Sequence, residues 1–223
     1  RTASGLSDLR TFRVSALPNV MEVEPNSEFK QPQAVANNVT VEGIIQNEDV
    51  DYFMIEAKKG ERISAEVEGI RLGDTLFDPY VAIRNEARFE LATSDDAALI
   101  WQDGIASIIA PADGKYIVQI RESSYGGNGA CFYRCHIGSF PRPLAVVPAG
   151  GKPGHKVAVK FLGDVSGEFT RELDLPAKAA SEFAVFAQDD KGISPSGNRF
   201  RVVDLENSIE QEPNETIQQA TKA

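Results

Sequence analysis

The sequence predicts an all-β chain built as two packed sandwiches, and three observations predict it. Helical periodicity is nearly absent, and short β-branched or alternating runs recur between Gly, Asp, Asn and Pro punctuation. These runs fall into two groups, parted by Gly138-Ser139-Phe140-Pro141-Arg142-Pro143, where two prolines and small residues stop any strand. A chain of 223 residues with 42% hydrophobic content is also long enough to bury one or two real cores.

In the first group the runs at 39–45, 52–57, 62–68, 80–84, 89–93, 106–109, 115–121 and 131–137 read as strands. Lys58-Lys59-Gly60-Glu61 reads as the turn of one hairpin, and Ala112-Asp113-Gly114-Lys115 opens a further strand through an Asp-Gly turn. Eight strands over roughly a hundred residues fit a jelly-roll-like β-sandwich. In the second group, strands are expected at 144–147, 156–162, 168–173, 182–187 and 198–203. With the Pro148-Ala149-Gly150-Gly151 and Pro153-Gly154 turns, they suggest a small immunoglobulin-like β-sandwich.

The two ends of the chain repeat each other. Gly5-Leu6-Ser7, Phe12-Arg13-Val14, Leu17, Glu22 and Glu24-Pro25-Asn26 recur as Gly192-Ile193-Ser194, Phe200-Arg201-Val202, Leu205, Glu210 and Glu212-Pro213-Asn214. A period this long spans a pair of ordinary domains. The expected organisation is therefore a terminal strand of a preceding immunoglobulin-like module over 1–16, the jelly-roll-like sandwich over 17–139, the immunoglobulin-like domain over 140–205, and the loose start of a next repeat over 206–223. A tandem array of this kind has neighbouring modules of the same chain as its first partners.

Charge narrows the function. With 33 acidic against 23 basic residues, the net charge is −10, which disfavours a nucleic-acid partner because phosphate binding needs a basic face. No apolar stretch is long enough to cross a bilayer, so no membrane insertion is expected. Cys131 and Cys135 lie four residues apart on an alternating run, which places their sulfurs roughly 13 Å apart, too far for a disulfide. His136 points to the opposite face, so buried reduced thiols are expected here and a zinc site is not. His136 and His155 have neither a serine elbow nor a metalloprotease helix around them. Gly126-Gly127-Asn128-Gly129 lies between strands and reads as a hairpin loop. No catalytic constellation follows.

The acidic residues are better organised. Pro25 biases Glu24 to extended geometry, so Glu22, Glu24 and Asn26 project to one side at every second position. The loop ahead of Tyr52 brings Glu48, Asp49 and Asp51. Folding the one against the other gathers five or six hard oxygen donors, the set that Ca2+ takes, and unpaired carboxylates at that density would repel. A second group, Asp74, Asp78, Asp95, Asp96 and Asp103, reads as turn-forming aspartates in preference to a second site. Trp101, Tyr125 and Tyr80 are a candidate aromatic platform for a glycan or collagen-like peptide, against the alternative that they pack the core or cap its end.

The middle of the chain resembles the bacterial pre-peptidase C-terminal domain. The resemblance rests on Glu22-Val-Glu-Pro-Asn26, Glu48-Asp-Val-Asp-Tyr-Phe53, Ala57-Lys-Lys-Gly-Glu-Arg62, Asp78-Pro-Tyr-Val-Ala-Ile83, Ser94-Asp-Asp96, Ala110-Pro-Ala-Asp-Gly-Lys-Tyr116 and Tyr133-Arg134, in the family's order over about 20–138. Residues 144–204 resemble the immunoglobulin-like, transcription-factor-type modules that alternate with such domains. The resemblance implies a non-catalytic β-sandwich appended to secreted proteases or other exported proteins, which in the collagenase relatives binds calcium and collagen. It also implies metal ligation by Glu22, Glu24, Asn26, Glu48 and Asp51. Ser27 departs from the family, which has an aspartate there, and this costs one charge. The expected function is a non-catalytic, calcium-ordered structural and adhesive module of a large exported bacterial protein, secreted, periplasmic or at the cell surface. The alternatives are a module binding glycan or matrix protein, and an accessory segment of a secreted peptidase.

Overall fold

Consecutive strands of the first group alternate between two sheets, and that alternation builds the sandwich. In the computed structural model, which describes Gly5, residues 12–73 and residues 75–222, the strands are β1 (Asn19–Met21), β2 (Gln33–Ala34), β3 (Val39–Ile44), β4 (Asp51–Ala57), β5 (Arg62–Glu68), β6 (Pro79–Asn85), β7 (Glu90–Ser94), β8 (Ile105–Ile109), β9 (Gly114–Glu122) and β10 (Phe132–Gly138). One five-stranded sheet has the order β1-β3-β10-β5-β8 and the other β2-β4-β9-β6-β7. The short entering strands β1 and β2 pair parallel with β3 and β4, and all other pairs are antiparallel. All eight expected strands of this group are present, with ends shifted by at most two residues.

The Asp113-Gly114 turn opens β9 as expected, whereas the hairpins expected at Lys58–Glu61 and Gly126–Gly129 are corrected by this topology. The Lys58–Glu61 turn joins β4 to β5, the Asp113-Gly114 turn joins β8 to β9, and the Gly126–Gly129 loop joins β9 to β10; each crosses from one sheet to the other. Turn chemistry reverses the chain, but which sheet the next strand joins is set by where its apolar face can be buried. Among the described residues of this sandwich, β6 and β7 form the one pair of consecutive strands that are hydrogen-bonded neighbours, with a register shift at Ile83/Arg84.

The core lies between the sheets. Val41, Ile63, Val67, Cys135 and Ile137 face Phe53, Ile55, Val81, Val118 and Ile120 across it. Cys131 and Cys135 are both buried and free, as the alternation of their strand implies.

Arg1–Pro141 together with Gln188–Pro195 make one compact unit, and Arg142–Ala187 with Ser196–Ala223 the other. This differs from a contiguous domain over 140–205. The hairpin of β16 (Gln188–Asp189) and β17 (Gly192–Ile193) belongs with the first unit. There Arg62 pairs with Asp189, and Asn38 donates its amide to the Lys191 carbonyl at 3.1 Å.

The second unit contains β11 (Ala145–Val147), β12 (Gly150–Gly151), β13 (Lys156–Leu162), β14 (Phe169–Asp174), β15 (Ala184–Val185), β18 (Asn198–Arg199) and β19 (Arg201–Val202). Its strands pair as β11-β13-β14, β12-β19 and β15-β18 around Val146, Val159, Phe161, Phe200 and Val202. Phe161 stacks on Phe169 at 4.8 Å, and Phe183 meets Phe200 edge-on at 6.2 Å.

The two copies of Phe-Arg-Val behave differently. Phe200 is 1% exposed and Val202 fully buried, whereas Phe12 is 88% and Val14 89% exposed. Of the terminal strand expected over 1–16, the described residues 12–15 form no strand. Arg201–Val202 pairs with Gly150–Gly151, and a strand without such a neighbour leaves its backbone to water. Leu6 and Ser7 lie outside the described residues. Residues 206–222 also form no strand.

The outer face of the β1-β3-β10-β5-β8 sheet is polar yet buried. Arg134 bridges Glu42 at 3.2 Å and Glu68 at 2.8 Å, Arg71 pairs with Glu66 at 3.1 Å and with Asp103, and the Thr40 hydroxyl meets His136 Nδ1 at 2.8 Å. Removing one partner of such a network leaves a buried charge uncompensated, at a cost of about 3–5 kcal/mol. Burial by itself would raise the Glu68 carboxyl, but the contact with His136, then Arg71 and Arg134, outweigh it and hold it at about 2 against an ordinary 4.5. A carboxylate depressed in the fold stabilises it above the ordinary value and loses that contribution as pH falls towards the folded one. Between about pH 5 and about pH 2.5 the wild-type chain therefore loses more melting temperature than Glu68→Gln; parallel pH profiles for the two would refute this assignment.

Candidate metal centre

Glu22 is placed by parallel pairing. Met21 of β1 registers with Glu42 of β3, and the next backbone N–H, that of Glu22, donates to the Glu42 carbonyl at 3.0 Å. This sets Glu22 beside Gly43, whose antiparallel partner on β10 is Tyr133. A Cβ on Gly43 would overlap both the Glu22 carboxylate and the Tyr133 ring, so only glycine lets these two side chains meet over β3. The Glu22 carboxylate accepts from the Ile44 N–H at 2.9 Å and from the Tyr133 hydroxyl at 3.0 Å.

Asp51 comes from the facing sheet. It opens β4 one residue earlier than the sequence suggests, on the inward parity shared with Phe53 and Ile55, and is fully buried. The Tyr133 hydroxyl also lies 2.6 Å from Asp51 Oδ2, while Asp51 Oδ1 is buried without a partner. One phenol thus stands between two carboxylates. Burial raises the Asp51 carboxyl first, and the charges of Glu22 and Asp49 raise it further, against the lowering effect of Tyr133. Glu22 is raised as well, chiefly by burial. The buried Tyr133 hydroxyl is pushed up by burial and then by Asp51 and Glu22.

Glu24, Asp49 and Asp51 each present an oxygen within 4.8 Å of the others. Asp49 is held by the turn it closes, accepting from the Val50 N–H at 2.9 Å and from the Ser27 hydroxyl at 3.0 Å. Ser27, the family departure, thus joins the group by a hydrogen bond where an aspartate would have added charge. Asn26 is 1% exposed; its backbone N–H donates to Glu24 at 2.8 Å and its carbonyl accepts from Tyr52 at 3.2 Å. Both polar atoms of its side chain are buried without a partner. Buried polar groups are almost always hydrogen-bonded, so a buried amide and a buried carboxylate oxygen that find no protein partner suit a ligand of the hard-cation class.

Of the six residues expected to ligate, Glu24, Asp49 and Asp51 therefore converge, Asn26 lies on the same turn, and Glu22 adjoins Asp51 through Tyr133. Glu48 is exposed, with φ 60, and donates its backbone N–H to the Tyr125 carbonyl at 2.9 Å. Among the described residues it is not part of the converging group. Tyr133 is the member that sequence reasoning did not single out, although its position on the inward face of β10 was readable from alternation. At the second copy of the motif the Asn214 N–H donates to Glu212 at 3.0 Å, repeating the turn made by Asn26 and Glu24.

The other expected groups fare differently. Asp103 is drawn out of the second acidic set: its carboxylate accepts from the Gly69 and Ile70 N–H groups at 2.8 and 2.9 Å and pairs with Arg71. Asp78 is raised by burial and then by the charges of Asp96, Glu122 and Asp95. These carboxylates are not gathered at ligand distance among the described residues. Asp74 lies outside those residues. Tyr80 and Tyr125 sandwich the Arg121 guanidinium at 3.9 and 4.3 Å, whereas Trp101 stands on a separate turn bridged to Ala97 and is 61% exposed.

No protein-family model matches the chain. A probable subtilase-type serine protease of Deinococcus radiodurans is 34% identical over 73 residues, which is 32% of this chain and 10% of that protein. The chain thus spans about a tenth of the length of this curated relative. Among solved structures, the pre-peptidase C-terminal domain of a Bacillus anthracis collagenase aligns over 48% of this chain and 93% of that one, at 16% identity and a TM-score of 0.38. Aeromonas hydrophila PliG, a periplasmic inhibitor of g-type lysozyme, aligns over 47% and 96%, at 14% identity and a TM-score of 0.32.

Proposed function

We propose that this chain is a non-catalytic, calcium-ordered module of an exported bacterial multi-domain protein, of the accessory kind attached to a secreted peptidase. The observation that carries the calcium reading is the pairing of orphaned buried groups, Asn26 and Asp51 Oδ1, with the convergence of Glu24, Asp49 and Asp51. Hard oxygen donors without nitrogen or sulfur select Ca2+ over zinc, and loop carbonyls and flexible carboxylates suit its larger, more tolerant coordination shell better than the rigid octahedron of Mg2+. The reading of an accessory module is supported by the motif resemblance and by the protease relative. Ca2+ would join the segment around Glu24 and Asn26 to the loop carrying Asp49, replacing like-charge repulsion with ionic contacts.

Two outcomes are expected. Titrating Ca2+ to about 10 mM, the range that extracellular sites require, raises the melting temperature and protects residues 17–30 from proteolysis. At a hundredfold excess over Kd the gain is about 2.7 kcal/mol, or several degrees for a unit of this size. Burial, then the charges of Glu22 and Asp49, push the Asp51 carboxyl up to about 9, so Asp51→Asn melts close to the wild type in chelator and loses the calcium response. A calcium-insensitive wild type, or an equal response to Mg2+, would overturn the reading. Gly43→Ala tests the geometry: forcing a methyl between Glu22 and Tyr133 costs about 1–3 kcal/mol and weakens calcium stabilisation. Gly43→Ala with unchanged melting and calcium response would show that the two side chains do not meet over β3.

A further inference from the structure

The outer face of the β2-β4-β9-β6-β7 sheet carries a local cluster of basic groups in an otherwise acidic chain. Acidic residues outnumber basic ones 33 to 23 overall. Here a groove of about 370 Å3 has Phe29, Met54 and Ile117 in its floor, exposed Lys30, Arg88 and Lys115 around it, and Glu86 as its single carboxylate. The pairing of β4 with β9 places Met54 opposite Ile117, so the floor is one row of the pleated surface.

The groove continues into a strip of aromatic and guanidinium groups. Arg88 lies over the Phe29 ring at 4.8 Å, and Phe29 meets Tyr52 edge-on at 5.4 Å. Tyr52 pairs with Gln119 of β9, two residues from Arg121 on the same face, and this leads from the groove to the Arg121 guanidinium held by Tyr80 and Tyr125. Arg84 is fixed from below, donating to the buried Gln119 side chain at 2.6 Å and pairing with Glu90. The rings and guanidiniums are thus held in place before any ligand arrives, which lowers the ordering cost of binding.

We propose that this face binds an anionic polysaccharide, a carboxylated or sulfated glycan chain laid across the strands. Arg88, Lys30 and Lys115 meet its acidic groups, and Phe29 and Tyr52 offer ring faces and a hydroxyl to the sugar. Guanidinium forks match carboxylate and sulfate geometry, and aromatic rings with a polar tip suit a partner that is apolar on one face and wet on the other. An acidic peptide fits less well, because peptides that add to sheets use unpaired backbone at an edge, and this groove lies on the paired face of the sheet. Phe29 and Lys30 belong to the segment that calcium would order, and Tyr52 adjoins Asp51, so binding is measured with calcium present throughout.

Affinity electrophoresis of the full chain tests the proposal, using carboxymethylcellulose and heparin as charged probes. Hydroxyethylcellulose serves as the uncharged polymer and poly-L-glutamate as the acidic peptide. The charged glycans are expected to retard the chain although its net charge opposes them, and hydroxyethylcellulose is not. Arg88→Glu with Lys115→Glu weakens retardation at least tenfold, and Tyr52→Ala weakens it several-fold. Arg88→Glu with Lys115→Glu keeps the wild-type melting temperature, and Tyr52→Ala, which also gives up the contact with Phe29, still melts cooperatively well above the assay temperature, so a lost interaction is distinguishable from a lost fold. Three results would each overturn the proposal: no retardation by either charged glycan, equal retardation by hydroxyethylcellulose, or equal retardation by poly-L-glutamate that survives Tyr52→Ala.

Discussion

Glu22 and Asp51 are two carboxylates brought to one buried hydroxyl, that of Tyr133, at the rim of a hydrophobic sandwich. Like charges at that distance, taken out of water, cannot both be ionised without a counter-charge. The surroundings are arranged around this conflict. Gly43 is small because the two side chains meet above it. β1 runs parallel to β3 because that register delivers Glu22 to the place, and Asp51 holds an inward position that an apolar residue would otherwise take. A site that costs stability in this way needs a reason outside the packing, and the proposed cation would supply one.

The sandwich bears the strain because its core is closed by strands that alternate between sheets. Each sheet contributes residues to a shared interior, so the rim positions of β4 and β10 are held by partners on both sides. The two outer faces then diverge. One is polar but buried, with Arg71, Arg134 and His136 set among Glu66, Glu68 and Asp103. The other is open, and there the arginines stack on rings instead of pairing wholly with carboxylates. The same residue type serves as internal glue on one face and as surface chemistry on the other, and the difference is solvent access.

The comparison of the repeated ends makes the same point within one chain. Phe200 and Phe12 sit in equivalent sequence contexts, yet one is buried among Phe183 and its neighbours and the other lies in water. By contrast, the Glu-Pro-Asn turns agree, because each is closed by a hydrogen bond between residues two apart. Local interactions repeat with the sequence, whereas burial repeats only when the partners do.

Much of the strand inventory was legible without coordinates, since period-two alternation and turn residues act over a few positions, and runs such as those at 62–68 and 131–137 carry both signals. The convergence of Glu24 with Asp49 and Asp51 was also legible, because a Glu-Pro-Asn turn and an acidic loop before a strand are both local. What the tertiary structure alone decided was long-range. It turned the supposed hairpins into sheet-to-sheet crossings and moved residues 188–195 into the first unit. It also withdrew Asp103 into an ion pair with Arg71, left Glu48 outside, and brought Tyr133 and Arg121 to their partners. Spacing along a chain determines which way a side chain points from its own strand; only the packing of separate strands determines what it points at.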